Sequence, residues 1–259
     1  MNRHADLELA QEAARTAGRV IMGYYHEAYE IQEKGKGNPV TTADLEADKV
    51  LKATLLGGRP GDGWLSEETK DSPARLDRSR VWIVDPIDGT KEFIKGVPQF
   101  ATSIALAVEG RIEVGVIYNP AKDELYSAIR GEGVTLNGRP AHATTLSDLS
   151  RASILASRSE VARGEFDVFK DDYEITPIGS IAYKLALVAS GQADLTFTLT
   201  PKNEWDFAAG YLLVTEAGGR VLVLGGHPQR FNCPDPLVQG VVATNGPLHD
   251  QVLELIGMS

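Results

Sequence analysis

The chain contains a single cysteine, Cys233, among 259 residues. An intramolecular disulfide is therefore excluded, and so are metal sites that need several thiolate ligands. The five histidines are scattered and lie in no motif, which argues against a zinc site. No apolar run is long enough to cross a bilayer, and the first residues lack the apolar core of a signal peptide. We therefore expect a cytoplasmic protein with no membrane partner.

Glycine-rich phosphate loops are also missing, since neither a Walker-type loop nor a Gly-x-Gly-x-x-Gly fingerprint occurs. The 26 basic residues are outnumbered by 36 acidic ones, and the net charge of −10 argues against a nucleic-acid polymer as partner. An anionic small substrate is compatible with this charge, because a bound divalent metal can invert the local field. Contents of 42% hydrophobic and 24% charged residues are ordinary for a globular protein of one large domain or two lobes.

The hydrophobic pattern divides the chain into two halves. Residues 1–140 are predicted to form an α+β lobe, in which helices pack on an antiparallel sheet. Its predicted parts are a helix from Leu7 to Ala28, a loop from Lys34 to Pro39, a helix from Asp44 to Leu56, a strand over Val81–Val84, and a meander with turns at Glu109-Gly110-Arg111 and Asn137-Gly138.

Residues 141–259 alternate between strand and helix patterns and are predicted to form an α/β lobe. The clearest helices run from Ile181 to Ala189 and from Phe207 to Ala217, where Gly218-Gly219 follows. No linker separates the two lobes. We therefore expect them to share an interface, which is a common place for a binding site.

The segment Asp85-Pro86-Ile87-Asp88-Gly89-Thr90 follows the apolar run of the predicted Val81–Val84 strand. Gly89 permits a positive φ or the close approach of a ligand, and Pro86 stiffens the turn. Two carboxylates aimed at one point are costly unless a cation lies between them. The segment therefore indicates a cation site, although Pro, Asp and Gly are also ordinary turn residues.

Further carboxylates lie near the ends of predicted elements. Glu67 and Glu68 follow a short apolar piece, and solvent-facing glutamates are the simpler interpretation of that pair taken alone. Asp206 opens a helix, and Asp44 lies near a helix start with Thr41 three residues before it, so both fit capping roles. Taken together, these oxygen ligands favour Mg²⁺ over Zn²⁺.

These motifs resemble the Mg²⁺-dependent, lithium-sensitive phosphatases of the inositol monophosphatase superfamily. The likeness covers almost the whole chain, in the order that the family shows. It is carried by Pro39-Val40-Thr41-Thr42-Ala43-Asp44, Ser66-Glu67-Glu68, Asp85-Pro86-Ile87-Asp88-Gly89-Thr90, Gly179-Ser180, Trp205-Asp206-Phe207-Ala208-Ala209-Gly210 and Glu216-Ala217-Gly218-Gly219. The fold that the resemblance implies is a layered α/β/α/β/α sandwich.

The resemblance also implies roles for single residues. Two Mg²⁺ ions would be bound, the first by Glu67, Asp85 and the Ile87 carbonyl, the second by Asp85, Asp88 and Asp206. Glu68 would assist a third ion. Gly89 and Thr90 would hold the phosphate, and Thr90 paired with Asp44 would orient or deprotonate the attacking water. The further candidates for substrate contacts are Gly179, Ser180, Lys184 and Glu204. Lys184 would contact a second phosphate, and Glu204 would accept a hydrogen bond from a sugar or inositol hydroxyl.

The implied substrate is a small phosphorylated metabolite. The continuation Lys91-Glu92-Phe93 after Thr90 is most similar to bacterial 3′(2′),5′-bisphosphate nucleotidases, which predicts hydrolysis of the 3′-phosphate of adenosine 3′,5′-bisphosphate. Inositol 1-phosphate or another sugar-type monophosphate, and then histidinol phosphate, are the alternative substrates. A non-catalytic, ligand-binding regulatory protein is the alternative of another class, and a homodimer is a further expectation from the family. For Lys184 and Glu204, an exposed side chain without function is the competing interpretation.

Overall fold

The computed structural model describes residues 2–35, 37–225 and 230–258. The helices of this described part are α1 (Arg3–Tyr24), α2 (Thr42–Gly58), α3 (Thr90–Ile94), α4 (Arg158–Ala162), α5 (Ile181–Ala189), α6 (Glu204–Glu216) and α7 (His249–Leu255), with 3₁₀ turns at Pro73–Asp77 and Leu149–Arg151. Within these ranges, no helix is both long enough and apolar enough to pass through a lipid bilayer.

The first half carries nine strands: β1 (Ile31–Gly35), β2 (Asn38–Thr41), β3 (Gly63–Ser66), β4 (Arg80–Asp88), β5 (Ala101–Val108), β6 (Arg111–Asn119), β7 (Glu124–Ile129), β8 (Val134–Leu136) and β9 (Arg139–Ala141). Strands β3 to β9 form a seven-stranded sheet in chain order, antiparallel except for the β3–β4 pair. The predicted Asn137-Gly138 turn is confirmed, since both residues have positive φ. The predicted Lys34–Pro39 loop is wrong at both ends, because β1 and β2 form a hairpin there. All five residues of β1 are exposed, so no alternating burial marked it in the sequence.

The second half carries the other strands: β10 (Ser153–Ser157), β11 (Glu174–Ile178), β12 (Leu195–Thr198), β13 (Lys202–Asn203), β14 (Arg220–Leu224), β15 (Leu237–Val238) and β16 (Gly240–Thr244). Five of them form a mixed sheet in the order β11-β10-β12-β16-β14, and β13 pairs with β15. The predicted Ile181–Ala189 helix has the same bounds in the structure as in the sequence analysis.

Helices and sheets alternate in five layers, as the resemblance implied. Helices α1 and α2 cover one face of the seven-stranded sheet, while α5 and α6 lie between the two sheets and contact both. Every residue from Phe207 to Val214 is buried, which is why this part of α6 is apolar all round rather than striped. The outer face of the smaller sheet packs on α7. The division near residue 140 stays a prediction, and the core around α5 and α6 draws on both halves of the chain.

Strand β4 does not end at Val84, as the apolar run suggested, but continues to Asp88. Its pairing with β5 has an irregularity between Asp85 and Asp88, where Asp85 lies opposite Ser103 and Asp88 opposite Ala101. One extra residue on β4 therefore bulges out of the ladder, and a bulge re-aims the side chains beside it.

Candidate active site

Three carboxylates converge where β3, β4 and α6 meet. One oxygen each of Glu67, Asp85 and Asp206 lies within 4.8 Å of the others. Glu67 directly follows β3, Asp85 lies in β4 before the bulge, and Asp206 is in the first turn of α6. Three anionic oxygens at this separation repel one another strongly unless a cation lies among them.

Asp85 is the most buried member of this cluster, with 1% of its surface exposed. Its Oδ1 accepts a hydrogen bond from the Ile87 N–H at 3.0 Å, whereas its Oδ2 is buried and has no hydrogen-bond partner among the described residues. An unsatisfied buried carboxylate oxygen is costly. Burial raises the pKa of Asp85 well above its ordinary value, and Glu67 and Asp88 raise it further. This orphan oxygen and the all-oxygen set of ligands fit a hard divalent cation such as Mg²⁺.

Asp206 lies at the third position of α6 rather than at its cap. The helix begins at Glu204, two residues earlier than the Asp206 opening predicted from the sequence, and Asn203 is its N-cap. Asp206 Oδ2 accepts from the Asn203 N–H at 2.8 Å, and no described residue donates to Oδ1. Burial raises the pKa of Asp206 to about 8, with Asp88 and Glu67 as further causes. One oxygen is thus held by the backbone and the other is available to a cation.

Asp88 is turned further from the cluster than the sequence suggested. Its Oδ2 accepts two hydrogen bonds from the start of α5, from Ser180 Oγ at 2.5 Å and from the Ala182 N–H at 2.6 Å. Burial raises the pKa of Asp88 to about 6, although these two donors oppose the shift. Asp88 still lines the same cleft as Glu67 and Asp206, and no described residue donates to its Oδ1.

Thr90 and Asp44 form the pair that the resemblance implied. Thr90 Oγ1 donates to Asp44 Oδ1 at 2.9 Å and lies 3.1 Å from the Ile87 carbonyl. Asp44 caps α2 in a capping box with Thr41, whose N–H and hydroxyl both donate to Asp44 Oδ2. Burial raises the pKa of Asp44, and its hydrogen bonds oppose the shift. The predicted capping role of Asp44 is therefore confirmed, and it coexists with the contact to Thr90.

Glu68 and Glu67 share a lysine that the sequence analysis missed. Lys34, in β1, places its Nζ 2.8 Å from Glu67 Oε1 and 2.7 Å from Glu68 Oε1. Burial raises the pKa of Glu68 to about 7, against the hydrogen bond from Lys34. In the sequence, Lys34 is one of the lysines in a Lys- and Gly-rich stretch. Nothing in that stretch indicated a hairpin whose lysine contacts the two glutamates.

The carboxylates line a cleft of about 630 Å³ that also contains six basic side chains. The cations that line it are Lys91, Lys95, Arg158, Arg163, Lys184 and Lys202. Lys184 is buried, with 1% of its surface exposed. The alternative interpretation of Lys184 as a solvated helix lysine is therefore wrong. Burial lowers the pKa of Lys184 to about 8. A lone lysine inside the apolar sequence of α5 was the signal for this burial.

Gly89 has the positive φ that the sequence analysis allowed for it, 98°, and is the N-cap of α3. Both Gly89 and Gly179, the two glycines among the candidate substrate contacts, line the cleft. A Cβ atom at Gly179 would collide with the side chain of Glu92. Ser180, in contrast, is fully buried and contacts Asp88 rather than the open cleft.

Glu204 points away from the cleft, so the structure does not place it at a substrate hydroxyl. It is buried, with 2% of its surface exposed. Its Oε2 accepts from the Asn232 N–H at 2.6 Å and its Oε1 from the Cys233 N–H at 2.9 Å. The sequence analysis predicted either a contact with a substrate hydroxyl or an exposed side chain, and neither describes this buried position. The hydrogen-bond partners of Glu204 lie about thirty residues further along the chain, so no local pattern indicated them. Glu204 anchors a loop to the start of α6.

Comparisons with known proteins agree with this geometry. The family model for the inositol monophosphatase family matches residues 2–257. The chain is 39% identical over 236 residues to the inositol-1-monophosphatase of Mesorhizobium japonicum, with 87% of this chain and 88% of that protein covered. It is 38% identical over 236 residues to the Nus factor SuhB of Escherichia coli strain K12, with 86% and 87% covered. The solved structure of inositol monophosphatase from Anabaena (Nostoc) sp. PCC 7120 superposes with a TM-score of 0.83 at 29% identity, covering 99% of this chain and 96% of that one. The chain therefore belongs to the inositol monophosphatase family.

Proposed function

We propose that this protein is a Mg²⁺-dependent phosphomonoesterase that removes the 3′-phosphate of adenosine 3′,5′-bisphosphate. The family consists of metal-dependent phosphatases, and the coarser assignment follows from membership. The observation that carries the proposal is the position of the carboxylate cluster, with the orphan Asp85 Oδ2, at a cleft that six lysine and arginine side chains also line. Metal ligands and a phosphate-binding surface thus face the same space.

Glu67, Asp85, Asp88, Asp206 and the Ile87 carbonyl would hold the metal ions, with Glu68 nearby. When bound, Mg²⁺ neutralises phosphoryl oxygens and lowers the pKa of a water molecule, so that a nucleophile exists near neutral pH.

Thr90 and Asp44 form a path for the proton of that nucleophile. The Thr90 hydroxyl proton is directed at Asp44 Oδ1, so the Thr90 oxygen presents its lone pairs to an attacking water. As the water attacks, its proton passes to Thr90 Oγ1 and the threonine proton passes to Asp44. Burial raises the pKa of Asp44, which favours the protonated product of this transfer.

The cationic lining favours a substrate with a second anionic group. A phosphomonoester needs positive charge only around the phosphate that is hydrolysed, where the metal ions would lie. Lys184 lines the cleft with Lys202, Arg158 and Arg163, and no described residue accepts a hydrogen bond from its Nζ. Glu160, Asp88 and Glu92 favour its charged form. A second phosphate in the cleft would give this ammonium a charged hydrogen-bond acceptor.

Inositol 1-phosphate is the second candidate substrate, and the name of the Mesorhizobium relative favours it. Histidinol phosphate is a third. Rates of phosphate release from the three compounds in the presence of Mg²⁺, compared as kcat/KM, decide among them. A preference for inositol 1-phosphate keeps the metal chemistry and overturns the nucleotide assignment. Tight binding of a phosphate ester with no release of phosphate would instead support a regulatory protein, a possibility consistent with the relative that is named a Nus factor.

The role of Lys184 has a sharper test. Lys184→Met keeps most of the length of the side chain and removes its charge. We expect kcat/KM for adenosine 3′,5′-bisphosphate to fall about tenfold or more, because a hydrogen bond to a charged group contributes roughly 1.5–3 kcal/mol. Adenosine 3′-monophosphate, which lacks the second phosphate, is the matched control and should lose far less. Equal losses on the two nucleotides would contradict a second-phosphate contact.

A further inference from the structure

The turn between β11 and α5 contacts Asp88, which lines the same cleft as Glu67 and Asp206. Ser180 is fully buried and is the N-cap of α5, where its Oγ accepts from the Tyr183 N–H at 2.9 Å. The same hydroxyl donates to Asp88 Oδ2 at 2.5 Å. Ala182 donates its N–H to the same oxygen at 2.6 Å. One serine therefore both begins a helix and holds a carboxylate that belongs to β4.

These contacts make the two oxygens of Asp88 unequal. Oδ2 receives two short hydrogen bonds, one of them from the backbone of a nine-residue helix that is buried throughout. Among the described residues, none donates to Oδ1. The carboxylate is thereby fixed in rotation, with Oδ2 toward α5 and Oδ1 left for a ligand from the cleft that Asp88 lines.

We propose that Ser180 is a positioning residue of the metal centre, which sets the orientation of the Asp88 carboxylate through its hydroxyl. The inference rests on the proposed metal-dependent function, in which Asp88 is a ligand. It assigns to Ser180 a role other than the substrate contact expected from the sequence. It also makes metal binding depend on the docking of α5 against β4, since the hydroxyl lies at the start of α5 and the carboxylate in β4, in different halves of the chain.

The need for such a device follows from charge. Asp88, Glu67 and Asp206 line the same cleft, so the ionised Asp88 side chain is repelled by its neighbours before a cation enters. Without the serine hydroxyl, the carboxylate keeps one donor and can turn about it. Partners that orient metal ligands in this way are worth about ten- to a hundredfold in metal affinity.

The test is calorimetric titration of Mg²⁺ into the wild-type chain and into Ser180→Ala, Ser180→Gly and Ser180→Thr, with unfolding midpoints measured on the same samples. Glycine is tolerated at a helix N-cap nearly as well as serine, so Ser180→Gly removes the hydroxyl and largely spares the helix start. Ser180→Thr keeps the hydroxyl. Asn2→Ala is the matched control, because it removes the side-chain cap of α1, which accepts from the Ala5 N–H far from the cluster in the fold.

We expect the Mg²⁺ dissociation constant to rise about tenfold or more in the alanine and glycine variants, and threonine to restore it. Asn2→Ala should lower the unfolding midpoint without changing the dissociation constant. Unchanged Mg²⁺ affinity in Ser180→Gly overturns the inference, even if the wild-type chain releases phosphate. If the wild-type chain binds Mg²⁺ but hydrolyses no phosphate ester, the proposed function fails while the shift in affinity still supports the role of Ser180.

Discussion

Asp44 and Asp206 occupy the same place in two different helices. Each is the third residue of its helix, α2 or α6, and each accepts the backbone N–H of its own N-cap residue. Asp44 then receives two more hydrogen bonds, from the hydroxyls of Thr41 and Thr90. Asp206 receives no other hydrogen bond from the described residues and shares its free oxygen with the cluster of Glu67 and Asp85.

The difference teaches that the place of a carboxylate in a helix does not decide what it does. The number of donors around it does, because a carboxylate whose lone pairs are filled orients its neighbours, whereas one with an open oxygen can bind a cation. Asp44 is thus suited to hold Thr90, and Asp206 to hold a metal ion. The following variants test whether that contrast is real.

The largest effect is expected for Asp206→Asn. The amide oxygen can still accept from the Asn203 N–H, but one negative charge leaves the cluster. We expect turnover to fall about a hundredfold or more, since removal of one preorganised group that supports developing charge costs roughly 3 kcal/mol. Mg²⁺ affinity, measured by calorimetry, should fall with it. The unfolding midpoint without metal should not fall, because the neutral amide keeps the hydrogen bond from the Asn203 N–H and carries no charge for Asp88 and Glu67 to repel. Full turnover in this variant would show that Asp206 is not a ligand of the metal centre.

Asp44→Asn should give a smaller loss of a different kind. The substitution weakens the acceptor for the Thr90 proton but removes no oxygen of the cluster. We expect kcat to fall about ten- to a hundredfold, as for other residues that orient a reacting group, while Mg²⁺ affinity stays within about threefold of wild type. Steady-state kinetics at saturating Mg²⁺ and a metal titration separate the two quantities. A parallel collapse of metal affinity would contradict the contrast between Asp44 and Asp206.

Much of the site could be predicted because its carboxylates lie near the ends of elements whose sequence patterns are clear. Asp85 follows a β-branched run, and Asp44 follows a threonine at capping-box spacing. Local patterns and the family resemblance together indicated which residues matter. The five-layer fold was implied by the resemblance, and the helix and strand patterns of the two lobes agreed with it.

What could not be predicted depends on contacts between distant parts of the chain. The orientation of Asp88 is set by Ser180, ninety-two residues away, and Glu204 is occupied by the backbone of Asn232 and Cys233. No sequence pattern near Asp88 or Glu204 indicates these partners. Lys34 was missed for a different reason, since an exposed hairpin strand has no burial pattern to reveal it.

A dependence of stability on pH would sharpen the contrast further. Burial and the neighbouring carboxylates raise the pKa of Asp206 to about 8 in the folded, metal-free protein. The folded state therefore holds a proton that the unfolded chain loses near its ordinary value, so this contribution to stability is present at low pH and is lost as the pH rises toward 8.

Mg²⁺ favours the ionised carboxylate, so its stabilising effect should grow with pH. We expect the increase in unfolding midpoint on adding Mg²⁺ to be larger at about pH 8 than at about pH 5.5. Asp206→Asn should reduce this difference and Asp44→Asn should retain most of it. An increase that is the same at both pH values would show that proton release from the cluster is not linked to metal binding.

The smallest effect on catalysis is expected for Glu204→Gln, although Glu204 lies in the same helical turn as Asp206. Both of its oxygens are filled by backbone N–H groups, so by the argument made for Asp44 it has none to offer a metal ion or a substrate. The amide would leave one of these N–H groups without an acceptor, which costs about 1–3 kcal/mol of folding free energy. We expect a lower unfolding midpoint and a kcat/KM within about twofold of wild type, because buried hydrogen bonds outside the cleft affect stability rather than the transition state. A selective loss of kcat/KM at an unchanged midpoint would mean that the filled oxygens of Glu204 do reach the substrate, and that counting donors is not enough to separate the carboxylates of this site.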